Sequence, residues 1–308
     1  MTPPAKRTQL TGERPLAGNR IGSLRGLGVR AAVAVAMAVL AAFAVVAISQ
    51  VATPGWWSQD TDAYWNAALR LREGHALYPA LLNPDASDTY RYAPWFALVW
   101  MPLTYLPKVV VYAAWTVGLL LAAMLCILFP LRQRNLDGVI LALLLAGLLI
   151  PAAASGNVQP LLLITLVHGV ERRSGPLWIA LATSLKATPI LLTAVYLGRR
   201  EWGRALATFI LTAALVVPML AFDLSSYPTA AAAATGPLPL WTQLVVALAA
   251  GLLALRFATT RYAWLAASIA VMIAIPRWSY YQPTFLLVGL ARRGSSTSPS
   301  PTSPETRP

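Results

Sequence analysis

The sequence predicts an all-α integral membrane protein that crosses the bilayer several times. Two observations support this prediction: the amino-acid composition and the pattern of apolar segments. Hydrophobic residues make up 57% of the 308 residues and charged residues only 11%, with a mean hydropathy of +0.61. Soluble domains carry charged residues at roughly 25%. Apolar runs also recur along the chain between short polar stretches, as they do in proteins with several membrane-spanning helices.

The formal net charge of +13 makes nucleic acid one partner class to consider. The basic residues, however, stand in short clusters between apolar runs and follow no RNA-binding or helix-turn-helix pattern. They match instead the excess of Lys and Arg in cytoplasmic loops of membrane proteins. Membrane lipids are therefore the expected surroundings, and no nucleic acid partner is expected.

The N-terminal part of the chain sets the predicted topology. Residues 1–28 are basic and have no apolar periodicity, which predicts a disordered cytoplasmic tail. Residues 29–51 are apolar and, at about 1.5 Å per residue, long enough to cross a core of roughly 30 Å as an uncleaved first helix. The following loop, residues 52–92, is then expected on the outer face of the plasma membrane.

The rest of the chain is predicted to complete one transmembrane domain over residues 29–293, followed by a disordered Ser/Thr/Pro-rich tail, 294–308. Many of its apolar segments are short or interrupted by proline, so about 8 to 11 transmembrane or re-entrant helices are expected. Helices broken at membrane depth need protein or a wet cavity around their ends.

The arginine clusters constrain how these helices connect. Arg172 and Arg199 can both be cytoplasmic only if residues 176–198 form a helical hairpin that breaks near Lys186 and Pro189. A similar conflict of parity affects residues 93–131. The residues alone leave open whether these are re-entrant pairs or exceptions to the charge rule.

The outer loop is the candidate site because it concentrates acidic residues. Five of the eleven acids lie between residues 58 and 94, namely Asp60, Asp62, Glu73, Asp85 and Asp88. From Asp62 to Glu73 the apolar spacing predicts a short amphipathic helix that ends at Gly74 and has Asp60 before its first turn. The alternative is that these are ordinary solvated loop acids, with Asp60 serving as a helix cap.

Polar residues inside apolar segments are the second group of candidates. A cation such as Lys186 at the bilayer centre costs at least roughly 2.5 to 3.5 kcal/mol, so it needs a partner, an interface or an anionic ligand. Asn157 and Gln159 lie in a turn between short helices, where they could bind ligand or cap helix ends. Arg277 belongs to a polar and aromatic cluster near the C-terminus. The two histidines lack metal-ligand spacing, so no metal site is predicted.

Four stretches, in this order, resemble the polyprenol-phosphate-mannose-dependent mannosyltransferases of glycosyltransferase family 87, in the GT-C class. They are DTDAYWNAALRLREGHALYP at 60–79, YRYAPWFALVWMPLTYLP at 90–107, SGNVQP at 155–160 and GPLWIALATSLKATPILL at 175–192. The resemblance covers residues 29 to about 205. This chain is short for the family and has YAPW where a double proline commonly follows the tyrosine.

The resemblance implies a GT-C-like helical bundle whose first outer loop supplies the catalytic acid. That acid lies four positions before a tyrosine, which identifies Asp60 before Tyr64, whereas Asp62 has no fixed counterpart. The predicted substrate-binding residues are Asp62, Tyr64, Arg91, Tyr92, Asn157, Gln159, Lys186 and Arg277, and the cations Arg91, Lys186 and Arg277 are expected to stabilise the departing phosphate.

The expected activity is transfer of a sugar, most specifically mannose, from a polyprenyl-phosphate donor to a lipid-anchored glycan acceptor, without a cofactor. Arabinofuranose is an alternative donor sugar. A lipid or solute transporter or flippase is the alternative from another class, and it would predict broken helices paired in two related halves. A third hypothesis, suggested by the short chain, is that the protein is a catalytically inactive assembly partner.

Overall fold

The computed structural model describes residues 59–79, 89–132, 136–227, 239–275 and 279–290. Regular structure in these ranges is helical, and no strand occurs in them, so the all-α prediction is confirmed for the described part of the chain. The predicted tails 1–28 and 294–308 and the predicted first helix 29–51 lie outside the described residues, as does Arg277.

The described ranges contain ten α-helices and four 3₁₀ segments. The α-helices are α1 (Gln59–Arg72), α2 (Pro94–Trp100), α3 (Lys108–Arg132), α4 (Leu136–Ala154), α5 (Gln159–Gly169), α6 (Gly175–Leu185), α7 (Thr193–Gly198), α8 (Trp202–Val216), α9 (Leu240–Phe257) and α10 (Ala263–Ala274). The 3₁₀ segments are Met101–Tyr105, Thr188–Leu192, Val217–Ala221 and Gln282–Leu290.

The region after α5 is a helical hairpin broken at Lys186. Helix α6 returns along α5, so that Lys186 Nζ at its end lies 2.8 Å from Gln159 Oε1 at the start of α5. The segment 188–198 then runs back, and Arg199 Nη1 lies 2.9 Å from Glu171 Oε1 just beyond the end of α5. Arg172 and Arg199 therefore lie at the same end of the bundle, as the hairpin hypothesis required.

The parity conflict in residues 93–131 has a different solution. Helix α2 and the 3₁₀ segment after it pack along α1 and do not traverse the bundle. Arg72 Nη1 near the end of α1 donates to Thr104 O at 2.9 Å, and Lys108 at the start of α3 pairs with Asp62 at the start of α1. Only α3 in this region runs the length of the bundle.

Prolines mark helix starts more often than kinks. Pro94, Pro160, Pro176 and Pro189 each stand in the first turn of a helical segment, where the missing N–H has no intrahelical acceptor to lose. Pro151 lies inside α4, and Pro130 lies near the end of α3.

Glycine closes two of the helices. Gly74 (φ +72°) follows α1 and Gly156 (φ +82°) follows α4. In both turns the next residue donates its N–H five residues back, from His75 to Arg70 O and from Asn157 to Ala152 O. This pattern is the Schellman motif, which satisfies otherwise unpaired carbonyls at a helix end. The predicted stop at Gly74 is thus confirmed.

Apolar side chains cover much of the outside of the bundle. Within the described ranges, two helical stretches are long and apolar enough to cross a membrane, Lys108–Leu128 and Trp202–Ala221. The second is mostly unburied, with Leu206 59% and Leu220 76% exposed. Contiguous exposed apolar surface of this kind is uncommon on soluble monomers. The lone cysteine, Cys126 of α3, is by contrast fully buried in the core.

A polar network that sequence reasoning missed joins three turns at the end of the bundle where Arg199 lies. The Glu171 carboxylate accepts hydrogen bonds from Arg199 and from the Trp264 indole. Arg199 Nε donates to Ala258 O at 2.8 Å, and Arg204 Nη2 donates to Arg172 O at 2.6 Å. We call the end of the bundle defined by this network the arginine end.

Candidate active site

Asp60 lies in the first turn of α1 and is tied to the turn that follows α4. Its backbone N–H donates to Ser155 O at 3.2 Å, and Ser155 Oγ donates to Asp60 Oδ2, also at 3.2 Å. The carboxylate is partly buried. Helix α1 is therefore fixed at its acidic N-terminal turn, where negative charge also interacts favourably with the helix dipole.

The turn from Ser155 to Val158 is shaped to receive α1. At Gly156, an added Cβ atom would lie 1.8 Å from Thr61 Oγ1, so only glycine permits the observed approach. Trp115 Nε1 of α3 donates to Gly156 O at 2.9 Å. The left-handed glycine turn thus holds α1 and α3 together.

The side-chain amides of Asn157 and Gln159 provide the oxygen atoms nearest to the Lys186 ammonium group. Lys186 Nζ donates to Gln159 Oε1 at 2.8 Å and lies 3.4 Å from Asn157 Oδ1. Both amide side chains are buried. The ammonium also lies 4.5 Å from the centre of the Tyr281 ring, a favourable cation–π distance. These contacts supply the partners that a cation within an apolar segment requires.

The Asp60 carboxylate and the Lys186 ammonium share the Asn157 amide, and the charge of Arg91 also acts on Asp60. Burial raises the pKa of Asp60 above its usual range, and four neighbours oppose that shift. In decreasing order they are the hydrogen bond from Asn157, the charge of Lys186, the hydrogen bond from Ser155 and the charge of Arg91. Since both cations act on one carboxyl group, Asp60, Arg91 and Lys186 belong to one electrostatic unit.

Tyr64 and Tyr92 are buried and hydrogen-bonded to each other, and Tyr64 contacts the turn that contains Asn157. Tyr64 is fully buried, and its hydroxyl donates to Tyr92 Oη at 3.2 Å and accepts from the backbone N–H of Val158 at 3.3 Å. Its ring packs edge-on against Tyr92 and Phe96. These contacts make both tyrosines structural supports of the turn, and the prediction that they bind substrate stays a prediction.

Arg91 and Asp62 are positioned by contacts of their own. The backbone carbonyl of Arg91 accepts a hydrogen bond from Tyr227 Oη at 3.0 Å. Asp62 Oδ1 accepts from Lys108 Nζ at 2.9 Å and from Tyr112 Oη at 2.6 Å. Asp62 thus anchors α1 to α3 through partners different from those of Asp60, and its predicted substrate contact remains untested.

Three further residues adjoin the site although they were not predicted as site residues. Ser155 bonds to Asp60, Tyr281 accepts from Asn157 Nδ2 at 3.1 Å, and Thr284 accepts from Gln159 Nε2 at 3.2 Å. Ser155 was detectable because it opens the SGNVQP stretch. Tyr281 stood in the C-terminal aromatic cluster, whose sequence gave no sign of its contact with Lys186.

The contacts place a partly buried carboxylate beside cations and neutral donors, without a metal-binding cluster among the described residues. Such a set can accept a proton and stabilise a nearby anion. The family model for glycosyltransferase family 87 matches residues 90–279. The chain belongs to glycosyltransferase family 87, and the protein is a glycosyltransferase. This family implies a membrane enzyme.

The matched range differs from the extent of the resemblance noted in the sequence, since it begins after α1 and continues through the C-terminal third. Arg91, Asn157, Gln159 and Lys186 lie inside it, whereas Asp60 and Tyr64 lie before it. The bonds from Asp60 to Ser155 connect α1 to the matched region. No curated protein and no solved structure matches the chain.

Proposed function

We propose that the protein is a multi-pass membrane enzyme that transfers mannose from a polyprenyl-phosphate donor to a lipid-anchored glycan on the outer face of the plasma membrane. The observation that carries this proposal is that Asn157, which hydrogen-bonds to the Asp60 carboxylate, also lies 3.4 Å from Lys186 Nζ, while the charge of Arg91 acts on the same carboxylate. A general base beside two cations suits transfer of a sugar away from a phosphate.

In the proposed reaction, Asp60 takes the proton from the acceptor hydroxyl as that oxygen attacks the anomeric carbon of the sugar. One carboxylate is sufficient for such an inverting transfer. Partial burial and the raised pKa of Asp60 make its carboxylate a stronger base than a solvated aspartate. The hydrogen bonds from Ser155 and Asn157 hold the carboxyl group in place during the step.

The bond between the anomeric carbon and the phosphate oxygen breaks with its electrons leaving on the polyprenyl phosphate. Lys186, Arg91 and Arg277 are proposed to stabilise this anion. The amide oxygens that accept from Lys186 are neutral, so these hydrogen bonds leave its positive charge to interact with Asp60 and with a phosphate. Arg91 contributes a second charge to the same unit.

The proposed membrane orientation follows from the two ends of the bundle. Turns carrying Arg172, Arg199 and Arg204 converge at the arginine end, which suits the cytoplasmic face. Asp60 and Lys186 then lie toward the outer face, in a domain spanning 29–293 whose first outer loop is 52–92. A lipid-linked donor is expected there because nucleotide sugars are confined to the cytoplasm.

Membranes supplied with radiolabelled polyprenyl-phosphate mannose test this proposal. Label should pass to a lipid-linked product, and Asp60→Asn should abolish transfer while Glu73→Gln, at an exposed acid just after the end of the same helix, leaves it intact. A parallel arm with polyprenyl-phosphate arabinofuranose tests the alternative donor. Movement of donor across vesicles without product would instead support the transporter hypothesis, which family membership disfavours.

A further inference from the structure

The arginine end presents an exposed basic rim, which the proposed reaction does not use. Seven arginines and two glutamates lie in its turns, residues 170–174, 199–204 and 256–262. Glu171 pairs with Arg199 and Glu201 pairs with Arg204, so both acids are directed to arginines within the network. The exposed members, which we call the arginine rim, are Arg172, Arg173, Arg200, Arg256 and Arg261.

The network gathers these arginines from separate parts of the chain. Arg199 binds the carbonyl of Ala258, and Arg204 binds the carbonyl of Arg172. The turns before α6, before α8 and before α10 are thereby brought side by side. The rim is consequently a surface assembled by folding and not a run of basic residues in the sequence.

Exposed aromatic residues border the rim and lead into apolar helix faces. Trp202 at the start of α8 is 62% exposed, and Phe257 and Tyr262 are exposed beside Arg256 and Arg261. The stripe from Trp202 continues along α8 through Leu206, Phe209 and Ile210, at the spacing of one helix face. This order of basic, aromatic and apolar surface is the order of headgroup, interface and acyl chain in a bilayer.

We propose that the arginine rim binds the phosphate groups of anionic phospholipids in the adjacent leaflet. Guanidinium groups suit phosphate because they donate paired hydrogen bonds. A soluble protein or nucleic acid partner fits less well, since the apolar stripe beside the rim would also have to be covered. The inference rests on the membrane location proposed above but not on sugar transfer.

The test measures lipid composition and not enzymatic activity. The full chain is reconstituted in mixed phosphatidylcholine and phosphatidylglycerol, extracted gently, and its retained lipids are quantified by mass spectrometry. The wild type should retain phosphatidylglycerol above its bulk fraction, and this enrichment should weaken at high salt. The triple variant Arg173→Gln, Arg200→Gln, Arg256→Gln should lower anionic lipid binding by roughly fivefold per charge removed.

A matched triple variant with Lys at the same positions should keep most of the enrichment, because the charge is retained. If the Gln variant fails to fold, the single variant Arg256→Gln gives the same comparison with one charge removed. Absence of enrichment in the wild type, or full enrichment in a folded Gln variant, would overturn the proposal. Loss of sugar transfer in a variant that still enriches phosphatidylglycerol would argue against the proposed reaction and not against lipid binding by the arginine rim.

Discussion

Asp60 and Lys186 share the side chain of Asn157, which hydrogen-bonds to the Asp60 carboxylate and whose carbonyl oxygen lies 3.4 Å from Lys186 Nζ. The acid begins a short helix, and the lysine ends another helix far along the chain. A single buried amide therefore fixes the relative positions of the proposed base and the proposed phosphate-binding cation.

The first prediction concerns the pH dependence of transfer. A general base must be deprotonated, so activity should fall as pH decreases through the pKa of Asp60, which burial raises above its usual range. The Lys186 charge opposes that rise. Replacing Lys186 with Met should therefore raise the pKa of Asp60 further and move the acidic limb of the kcat/KM profile to higher pH.

The Lys186→Arg variant is the control for that experiment because it keeps the charge. Its acidic limb should stay close to that of the wild type even if its rate is lower. An unshifted acidic limb in Lys186→Met would show that Asp60 does not set the pH dependence.

The second prediction concerns Gly156. Alanine at this position should cost at least about 2 kcal/mol, because left-handed backbone is unfavourable for alanine and because its Cβ would collide with Thr61 Oγ1. Gly74→Ala has the same backbone conformation but no atom within 4 Å of the added Cβ. It should cost only about 1 kcal/mol. Thermal unfolding in detergent compares the two variants.

Removing the Thr61 hydroxyl supplies a second comparison. Thr61→Ala combined with Gly156→Ala should recover part of the lost stability and part of the lost transfer, since one of the colliding atoms is absent. Equal unfolding temperatures for Gly156→Ala and Gly74→Ala would refute the argument from close approach.

The third prediction separates two roles for Asp62. If its main role is to anchor α1 through Lys108, then Asp62→Asn and Lys108→Met should change stability by similar small amounts, and the double variant should show a coupling of no more than about 1 kcal/mol. If Asp62 binds substrate, as the sequence predicts, Asp62→Asn should raise KM much more than Lys108→Met does. Steady-state kinetics with both variants decides between the two roles.

The fourth prediction concerns the buried pair at the arginine end. Glu171→Gln should destabilise the protein by about 3 kcal/mol because Arg199 would keep its charge in a largely buried site without a carboxylate. Glu201→Gln, which affects the more exposed pair with Arg204, should cost no more than about 1 kcal/mol. Similar unfolding temperatures for both variants would mean that the Glu171 pair contributes little.

The sequence was most informative where local chemistry decides structure. The end of α1 at Gly74 follows from the conformational freedom of glycine. The reversal at Lys186 follows from a charge and a proline within an apolar run, together with the requirement that Arg172 and Arg199 share one end. Both features depend on residues close in the chain or on one simple charge rule.

Contacts between distant segments were not predictable in the same way. The pairing of Asp62 with Lys108 depends on how α2 folds back along α1, and nothing in either helix specifies that approach. The Glu171 to Arg199 pair was missed because the arginine clusters were interpreted only as indicators of topology. Acids next to such clusters, as at Glu171 and Glu201, were the available signal.

The buried position of Cys126 has a practical consequence for mapping the orientation of the chain. It is the single cysteine in the sequence and is closed off inside the helical core. Cysteines introduced one at a time at exposed sites, such as Thr259 or His75, could therefore be labelled with a membrane-impermeant maleimide in intact cells without first removing the native thiol. Reaction at His75→Cys but not at Thr259→Cys would fix which face each turn occupies.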